Sequence, residues 1–358
     1  MSENSPRSET TPQVTPPDSV VLRRRGLSVL FPRRSTVAAL LLGVLAALAV
    51  VGSTMVGVTL TPGQALGALL GNGSPGAEFL VWEFRLPRIV AGLVAGAALG
   101  LAGCLSQTLA RNRLATPDVL GVNDGATTVV LISLLAGTSG TFGAWWAGPL
   151  GAVLTALLVL LAAGGLGTHG YRVVVVGLAV STMISALTDL VLSAQSLETA
   201  SAVHTWTIGT LNGRGLPGAV PVAVGLAFLL PAALLAARQL TLFRLDEDVA
   251  ATLGVNVRVV KLGVLSIAVL LAGLAVGLAG AVSFVAMAAP IVAGRLCGPT
   301  RIPVFGSALT GALLVIVADT VGRVAAPPGE VPVGVITSVI GGPFLLWVLL
   351  TDGRRRTD

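Results

Sequence analysis

Apolar positions along the chain gather into ten blocks, at 36–58, 88–108, 118–136, 146–165, 173–193, 218–237, 260–280, 282–297, 304–323 and 332–350. Between them lie short stretches carrying Arg, Asp, Asn, Pro and Gly. The blocks lack period-2 alternation, and 37–58 and 259–281 are apolar nearly all the way round a helix. About twenty residues rising ~1.5 Å each match the ~30 Å hydrocarbon core of a bilayer, where a backbone must satisfy its own hydrogen bonds. The pattern therefore predicts ten transmembrane α-helices. The third block is irregular because it carries Asp124, and the eighth is short.

Composition excludes the soluble alternative. Hydrophobic residues make up 54% of the chain and charged ones 11%, against about a quarter charged in a soluble domain. That is too little charge to coat a globule. The net charge of +6 does not point to nucleic acid, because the basic residues are scattered between blocks and at the ends. Such scatter is a topology signal rather than a binding stripe. With the N-terminus inside, 18 of the 22 Lys and Arg residues fall on the cytoplasmic side. Positive loops resist translocation, so this split predicts ten spans with both termini cytoplasmic. Arg85, Arg88, Arg214 and Arg323 fall outside. An arginine kept on the disfavoured side is a candidate for a task there.

Residues 1–35, rich in Ser, Thr, Pro and Arg, read as a disordered cytoplasmic tail. Arg33 and Arg34 ahead of an apolar run resemble a twin-arginine export signal. The run exceeds twenty residues and nine more follow, so an uncleaved first span is expected. Residues 36–352 then form one transmembrane domain with a cytoplasmic segment at 243–258, and 353–358 a basic cytoplasmic tail. Gly92, Gly96 and Gly100 recur every four residues in the second block, and Gly273 and Gly277 in the seventh. Lipid gives helices no hydrophobic reason to associate, so small residues that admit close backbone approach are expected at helix contacts. Cys104 and Cys297 have no metal-type spacing and read as small core residues.

Several chemistries are absent. Lys261 is the only lysine, and no glycine precedes it, so the phosphate-cradling loop GxxxxGK[ST] does not exist here. His169 and His204 fall in predicted loops on opposite sides of the membrane and cannot share a metal. No enzyme site, metal site or directly bound cofactor is expected.

Four segments carry the remaining information. Arg85-Leu86-Pro87-Arg88 opens the second span on the outer side, with proline in the first turn. Its guanidinium groups can pair bidentately with carboxylates. Segment 110–125, ARNRLATPDVLGVNDG, places Asn112, Asp118, Asn123 and Asp124 at the membrane boundary, next to a helix ending near Gln107. It reads as a solvated loop or as a hinge or gate, with Gln107, Asn112 and Asp118 the candidates. Segment 243–258, FRLDEDVAATLGVNVR, has acidic residues suited to a helix start and Gly254 suited to its end. A short cytoplasmic helix there makes a docking knob. Segment 280–342 places Asp319 and Arg323 four residues apart, able to pair on one face, with Glu330 beyond.

Together RLPR, NRLATPDVLG and PGEVPVGVITSVIGGPF resemble the FecCD family of permeases from ABC importers of ferric siderophores, haem and cobalamin, over about residues 82–350. The resemblance implies an all-α integral membrane bundle of the type II ABC importer kind. It also implies a second permease subunit, identical or not, a cytoplasmic ABC ATPase dimer that uses the ATP, and an extracytoplasmic substrate-binding protein. Arg85, Arg88 and Arg323 would meet acidic residues of that binding protein. Asp246, Glu247, Asp248, Ala250, Leu253, Gly254 and Arg258 would sit in a cleft of the ATPase. The cargo implied first is a ferric siderophore, with haem and cobalamin as alternatives. The chain departs from the family pattern at Ile291 and Gly294, where histidine and arginine are usual, and at Arg113, where proline is. The rival class, an ion-coupled secondary transporter, would need ionisable groups near the midplane. Asp189, toward the outer end of the fifth span, is its best candidate.

Overall fold

The computed structural model describes residues 19–24, 27–56, 60–137, 145–165, 170–243, 247–298, 302–326 and 329–354. Among these, the chain is a bundle of helices. Seven are long and apolar enough to cross a membrane, and three apolar helices are shorter. In order the ten are α1 (Arg33–Met55), α4 (Leu86–Leu109), α5 (Val122–Leu135), α6 (Ala147–Ala163), α7 (Gly170–Ser193), α9 (Leu216–Leu242), α11 (Val257–Ala279), α12 (Ser283–Cys297), α13 (Val304–Ala325) and α14 (Val333–Arg354). Each coincides with one block of the sequence pattern. α5 and α12, the two irregular blocks, are two of the three short helices.

Contacts between helix ends fix the alternation. Arg34 reaches the carbonyls of Arg295 and Leu296, and Arg295 reaches Thr351. Those contacts put the start of α1 with the ends of α12 and α14. At the other end Arg85 reaches Thr54, Arg88 reaches Asp319, and the Thr210 N–H donates to Ala279. Both sets join ends that ten spans place on one side. The start of α1 and the end of α14 therefore share one side, which the placement of positive charge assigns to the cytoplasm.

α4 lies at the centre, 78% of its apolar window buried, with α11 (67%) and α13 (56%) beside it. Their apposition depends on glycine. A Cβ on Gly96 would run into the Gly311 carbonyl, one on Gly100 into that of Ser307, and one on Gly103 into that of Ala286. Gly148 and Gly273 meet in the same way between α6 and α11. α1, α7, α9 and α14 form the periphery, with 17%, 11%, 22% and 28% of their windows buried. Pro221 and Pro231 interrupt α9, Pro290 α12 and Pro343 α14, as spans tolerate when neighbours re-satisfy the freed carbonyls.

Shorter elements went unforeseen. On the outer side lie α2 (Pro62–Leu69), α3 (Pro75–Phe79) and a π-type turn, Leu80–Arg85, that runs into α4. α2 begins at a capping box, Thr61 with Gln64, and α3 at Ser74, whose Oγ accepts from the Ala77 N–H. α8 (Leu197–Thr207) follows α7 there. Within the expected tail, β1 (Ser19–Arg24) pairs antiparallel with β2 (Leu27–Pro32), from Ser19↔Pro32 to Arg24↔Leu27. These two six-residue runs carry three Val and one Phe, which favour extended backbone and set them apart from the Pro- and Ser-rich residues before them. The helix α14 also continues to Arg354, past the expected boundary at 352. Residues 1–18 and 355–358 lie outside the described residues.

Candidate functional sites at the two ends of the bundle

At the outer end, three of the four wrong-side arginines converge. The π-type turn rotates Arg85 inward at the head of α4, and Pro87 in the first turn of α4 sets Arg88 one helical step on. Asp319 and Arg323 come from the last two turns of α13, and Glu330 from the stretch before α14. Arg88 donates from Nε and Nη2 to Asp319 Oδ1 at 3.1 and 2.8 Å, and from Nη1 to Glu330 Oε2 at 2.7 Å. Arg323 Nε lies 3.3 Å from Asp319 Oδ2. Its Nη2 donates to Ser53 Oγ and Thr320 Oγ1, and its Nη1 to the Val56 carbonyl. Arg85 Nη1 donates to the Thr54 carbonyl at 2.6 Å. The cluster thus ties the end of α1 to α4 and α13.

All three arginines were expected on the outer side, with Arg85 and Arg88 facing water. They turn inward instead: Arg85 and Arg323 are 9% and 7% exposed, and the Arg88 side chain 14%. Glu330, at 37%, is the accessible member. Asp319 and Glu330 supply two negative charges against three positive, so one positive charge remains uncompensated within the group. The fourth arginine, Arg214, is buried beyond α8 with its guanidinium 5.8 Å from the Trp206 ring. Burial pushes its pKa down to about 10.

At the cytoplasmic end, α10 (Glu247–Thr252) is the short helix expected within 243–258. Asp246 lies outside the described residues, and Glu247 and Asp248 are described only as backbone. Gly254, at φ +83°, closes the helix. Its N–H donates to Ala251 and that of Val255 to Ala250, the paired bonds of a Schellman cap. Ala250 is fully buried, whereas Val249 and Leu253, four residues apart, expose 43% and 61%. The helix therefore stands on Ala250 and presents an apolar edge to the cytoplasm, with Arg258 exposed beyond it. Arg111, just past α4 in the left-handed region at φ 49°, donates to the Phe243 carbonyl at the end of α9. That bond links the central helix to the segment carrying α10.

Of the three gate candidates, Gln107 and Asn112 meet through the backbone, the Asn112 N–H donating to the Gln107 carbonyl at 3.1 Å. Gln107 Nε2 donates to the Met287 carbonyl at 2.9 Å and clips α4 to α12. Asn112 is exposed and accepts from the Leu114 N–H in a local turn. Asp118 sits in the 3-10 turn Pro117–Leu120 ahead of α5, outside the span. Burial, and secondly the nearby Asp124, push its pKa up to about 6. Asp124 itself accepts from Ser181 Oγ and Ser185 Oγ of α7, and Thr128 meets Thr188 at 2.8 Å. This polar seam between α5 and α7, absent from the sequence reading, explains how an aspartate sits in the third block. Asp189 is exposed at the flank of this seam on α7 and has no hydrogen-bond or ion-pair partner among the described residues.

At α12, the departure at Ile291 and the arginine that follows Gly294 are both engaged with α14. Ile291 packs with Phe284, Met287 and Val348 between α12 and α14, and Arg295 lies 3.9 Å from the centre of the Trp347 ring.

A ten-span bundle with a polar cluster at its outer end and an apolar-edged helix at its inner end defines a polytopic membrane transport subunit. The family comparison is specific: the model of the FecCD transport family matches residues 40–351, and the chain belongs to that family. It is 36% identical to the ferric enterobactin transport system permease protein FepG of Escherichia coli over 84% of this chain and 91% of that one. It is 35% identical to the achromobactin transport system permease protein CbrC of Dickeya dadantii, over 93% and 97%. Similarity to the hemin transport system permease protein HmuU of Yersinia pestis is 33%, over 78% and 86%. Among solved structures, one described as an inward-facing metal-chelate type ABC transporter superposes with a TM-score of 0.73 at 22% identity, covering 88% of this chain and 99% of that one. That last likeness concerns the fold. The protein is thus a multi-pass permease of the cytoplasmic membrane and acts as a transport subunit rather than an enzyme.

Proposed function

We propose that this permease moves a ferric siderophore inward by alternating access, driven by ATP hydrolysis in a partner ABC ATPase. The chain itself holds no cofactor in this reading. Its relatives include permeases named for ferric enterobactin, achromobactin and iron(3+)-hydroxamate, so a bulky iron chelate is the cargo class that fits best. The observation that carries the reading is the pairing of two built ends in one bundle. A carboxylate-binding arginine cluster occupies the outer end, and a helix with an exposed apolar edge the inner end.

The outer cluster is the docking point for an extracytoplasmic binding protein. Arg88 holds Asp319 on its buried side and Glu330 on its exposed side, so an incoming carboxylate can take the place of Glu330 without disturbing the buried pair. The inner end is the ATPase contact, where Val249, Leu253 and Arg258 enter a complementary cleft. Movement there reaches α9 through the residues before α10, and α4 through Arg111. The passage itself lies between two permease subunits, against α7. Thr182, Asp189 and Ser193 recur at intervals of seven and four residues on the exposed side of that helix. A carboxylate there belongs beside water or a partner rather than lipid.

The test is affinity of the binding protein for the purified permease. Glu330→Gln, which vacates the exposed side of Arg88, is expected to tighten docking several-fold, in line with ~1 kcal/mol for a released rim contact. Arg88→Gln is expected to abolish it. Unchanged affinity in both variants, with unchanged thermal stability, would remove the docking role.

A further inference from the structure

A cleft on the cytoplasmic half of the bundle, lined by none of the residues of the two sites already discussed, is built for a different ligand. It lies between α1 and α12 and encloses about 460 Å3. Arg33 and Arg34 stand at its mouth, Val37, Leu41 and Leu45 form one wall, and Leu296 closes the other. No carboxylate lines it among the described residues.

Its two arginines are prepared differently. Arg34 is fixed: Nε donates to the Leu296 carbonyl at 3.2 Å and Nη2 to that of Arg295 at 2.9 Å, where α12 ends. Gly298, at φ +85°, leaves room for this side chain, since a Cβ there would lie 3.3 Å from Arg34 Cδ. These bonds leave Nη1 free to meet an anion. Arg33 is exposed and has no hydrogen-bond or ion-pair partner among the described residues. Arg295 is not available, because it is held by Thr351 and Trp347 on the α14 side.

The wall has the dimensions of one leaflet. Val37, Leu41 and Leu45 follow one another at every fourth residue, and from Arg33 to Leu45 the helix rises ~18 Å, close to half of the ~30 Å hydrocarbon core. The three side chains are 48%, 59% and 49% exposed, so the cleft opens sideways toward the acyl chains rather than into the protein. A fixed and a free guanidinium stand above an apolar slot of that length, at the cytoplasmic boundary. We propose that this cleft binds an anionic glycerophospholipid of the cytoplasmic leaflet, with one acyl chain along Val37, Leu41 and Leu45 and the phosphate on Arg33 and Arg34.

Lipid retention by the purified full-length permease, read by native mass spectrometry, tests this with phosphatidylglycerol and phosphatidylcholine of matched chains. The wild type is expected to retain phosphatidylglycerol preferentially. Arg33→Gln is expected to reduce that retention about fivefold, the factor that corresponds to one basic contact at a membrane surface. Arg238→Gln, an exposed cytoplasmic arginine outside the cleft, is expected to leave it unchanged. Leu41→Trp, which fills the slot, is expected to lower retention of both lipids, and Leu45→Trp serves the same purpose if the first variant does not fold. Equal retention of the two lipids would overturn the site. So would an equal loss in Arg33→Gln and Arg238→Gln, since attraction would then be diffuse, or full phosphatidylglycerol retention in a folded slot-filling variant.

Discussion

Asp319 is the residue on which the outer end turns. It is 4% exposed, accepts hydrogen bonds from Arg88 and forms an ion pair with Arg323, so removing it would leave two buried guanidinium groups without their shared counter-charge. Asp319→Ala is expected to cost about 3–5 kcal/mol, the range for breaking a buried ion pair from one side, seen as a lower thermal unfolding midpoint in detergent. Asp118 makes the opposite prediction. Its pKa is raised to about 6 by burial and by Asp124, so the folded state binds a proton that the unfolded chain, titrating near 4, has already released. The ionised group therefore works against folding. Stability should fall as pH rises from about 4 to about 6 and stay low above that. Asp118→Asn should flatten this interval, and a pH series of unfolding midpoints in both proteins is the check. A sequence contains the identities of these groups but not their burial. Three arginines on the disfavoured side were visible as anomalies of charge placement, yet the inward direction of Arg85 and Arg323 depends on a π-type turn and on Ser53, Thr54 and Val56 at and just past the end of α1, more than 30 residues away in the chain.

Elements were legible in proportion to how much of their structure lipid dictates. A span must be apolar for its whole length, so the ten blocks could be read directly, including α5 and α12 despite Asp124 and shortness. The short outer helices α2, α3 and α8 answer to no such constraint, and their signals, Thr61, Ser74 and the prolines after them, were hidden among ordinary loop residues. The glycine spacing in α4 was readable, but its partners on α13 and α12 were not. Gly96→Val should push α4 off the Gly311 carbonyl and destabilise by at least about 1–3 kcal/mol, the range for overpacking, with loss of monodisperse protein in size-exclusion chromatography. For α10, Leu253→Asp changes an exposed side chain, so stability should shift by no more than about 0.5 kcal/mol. Binding to the ATPase should nonetheless be lost if the apolar edge is the contact. Retained binding would exclude Leu253 from it.

The whole molecule is a centre of closely apposed helices, α4 with α11 and α13, surrounded by spans that are mostly uncovered within one chain. α7, with 11% of its window buried, is the extreme case, and it is the face to which the proposed function assigns the second permease subunit. The proposed function puts cargo between subunits, binding-protein contact at the Arg88 cluster and ATPase contact at α10. The direct measurement is uptake of an iron-loaded siderophore into proteoliposomes holding the permease with its ATPase, the binding protein being added outside. Uptake should require ATP inside and a catalytically intact ATPase, and should be indifferent to an uncoupler. Accumulation that persists with an inactive ATPase but collapses when the proton gradient is dissipated would contradict the account.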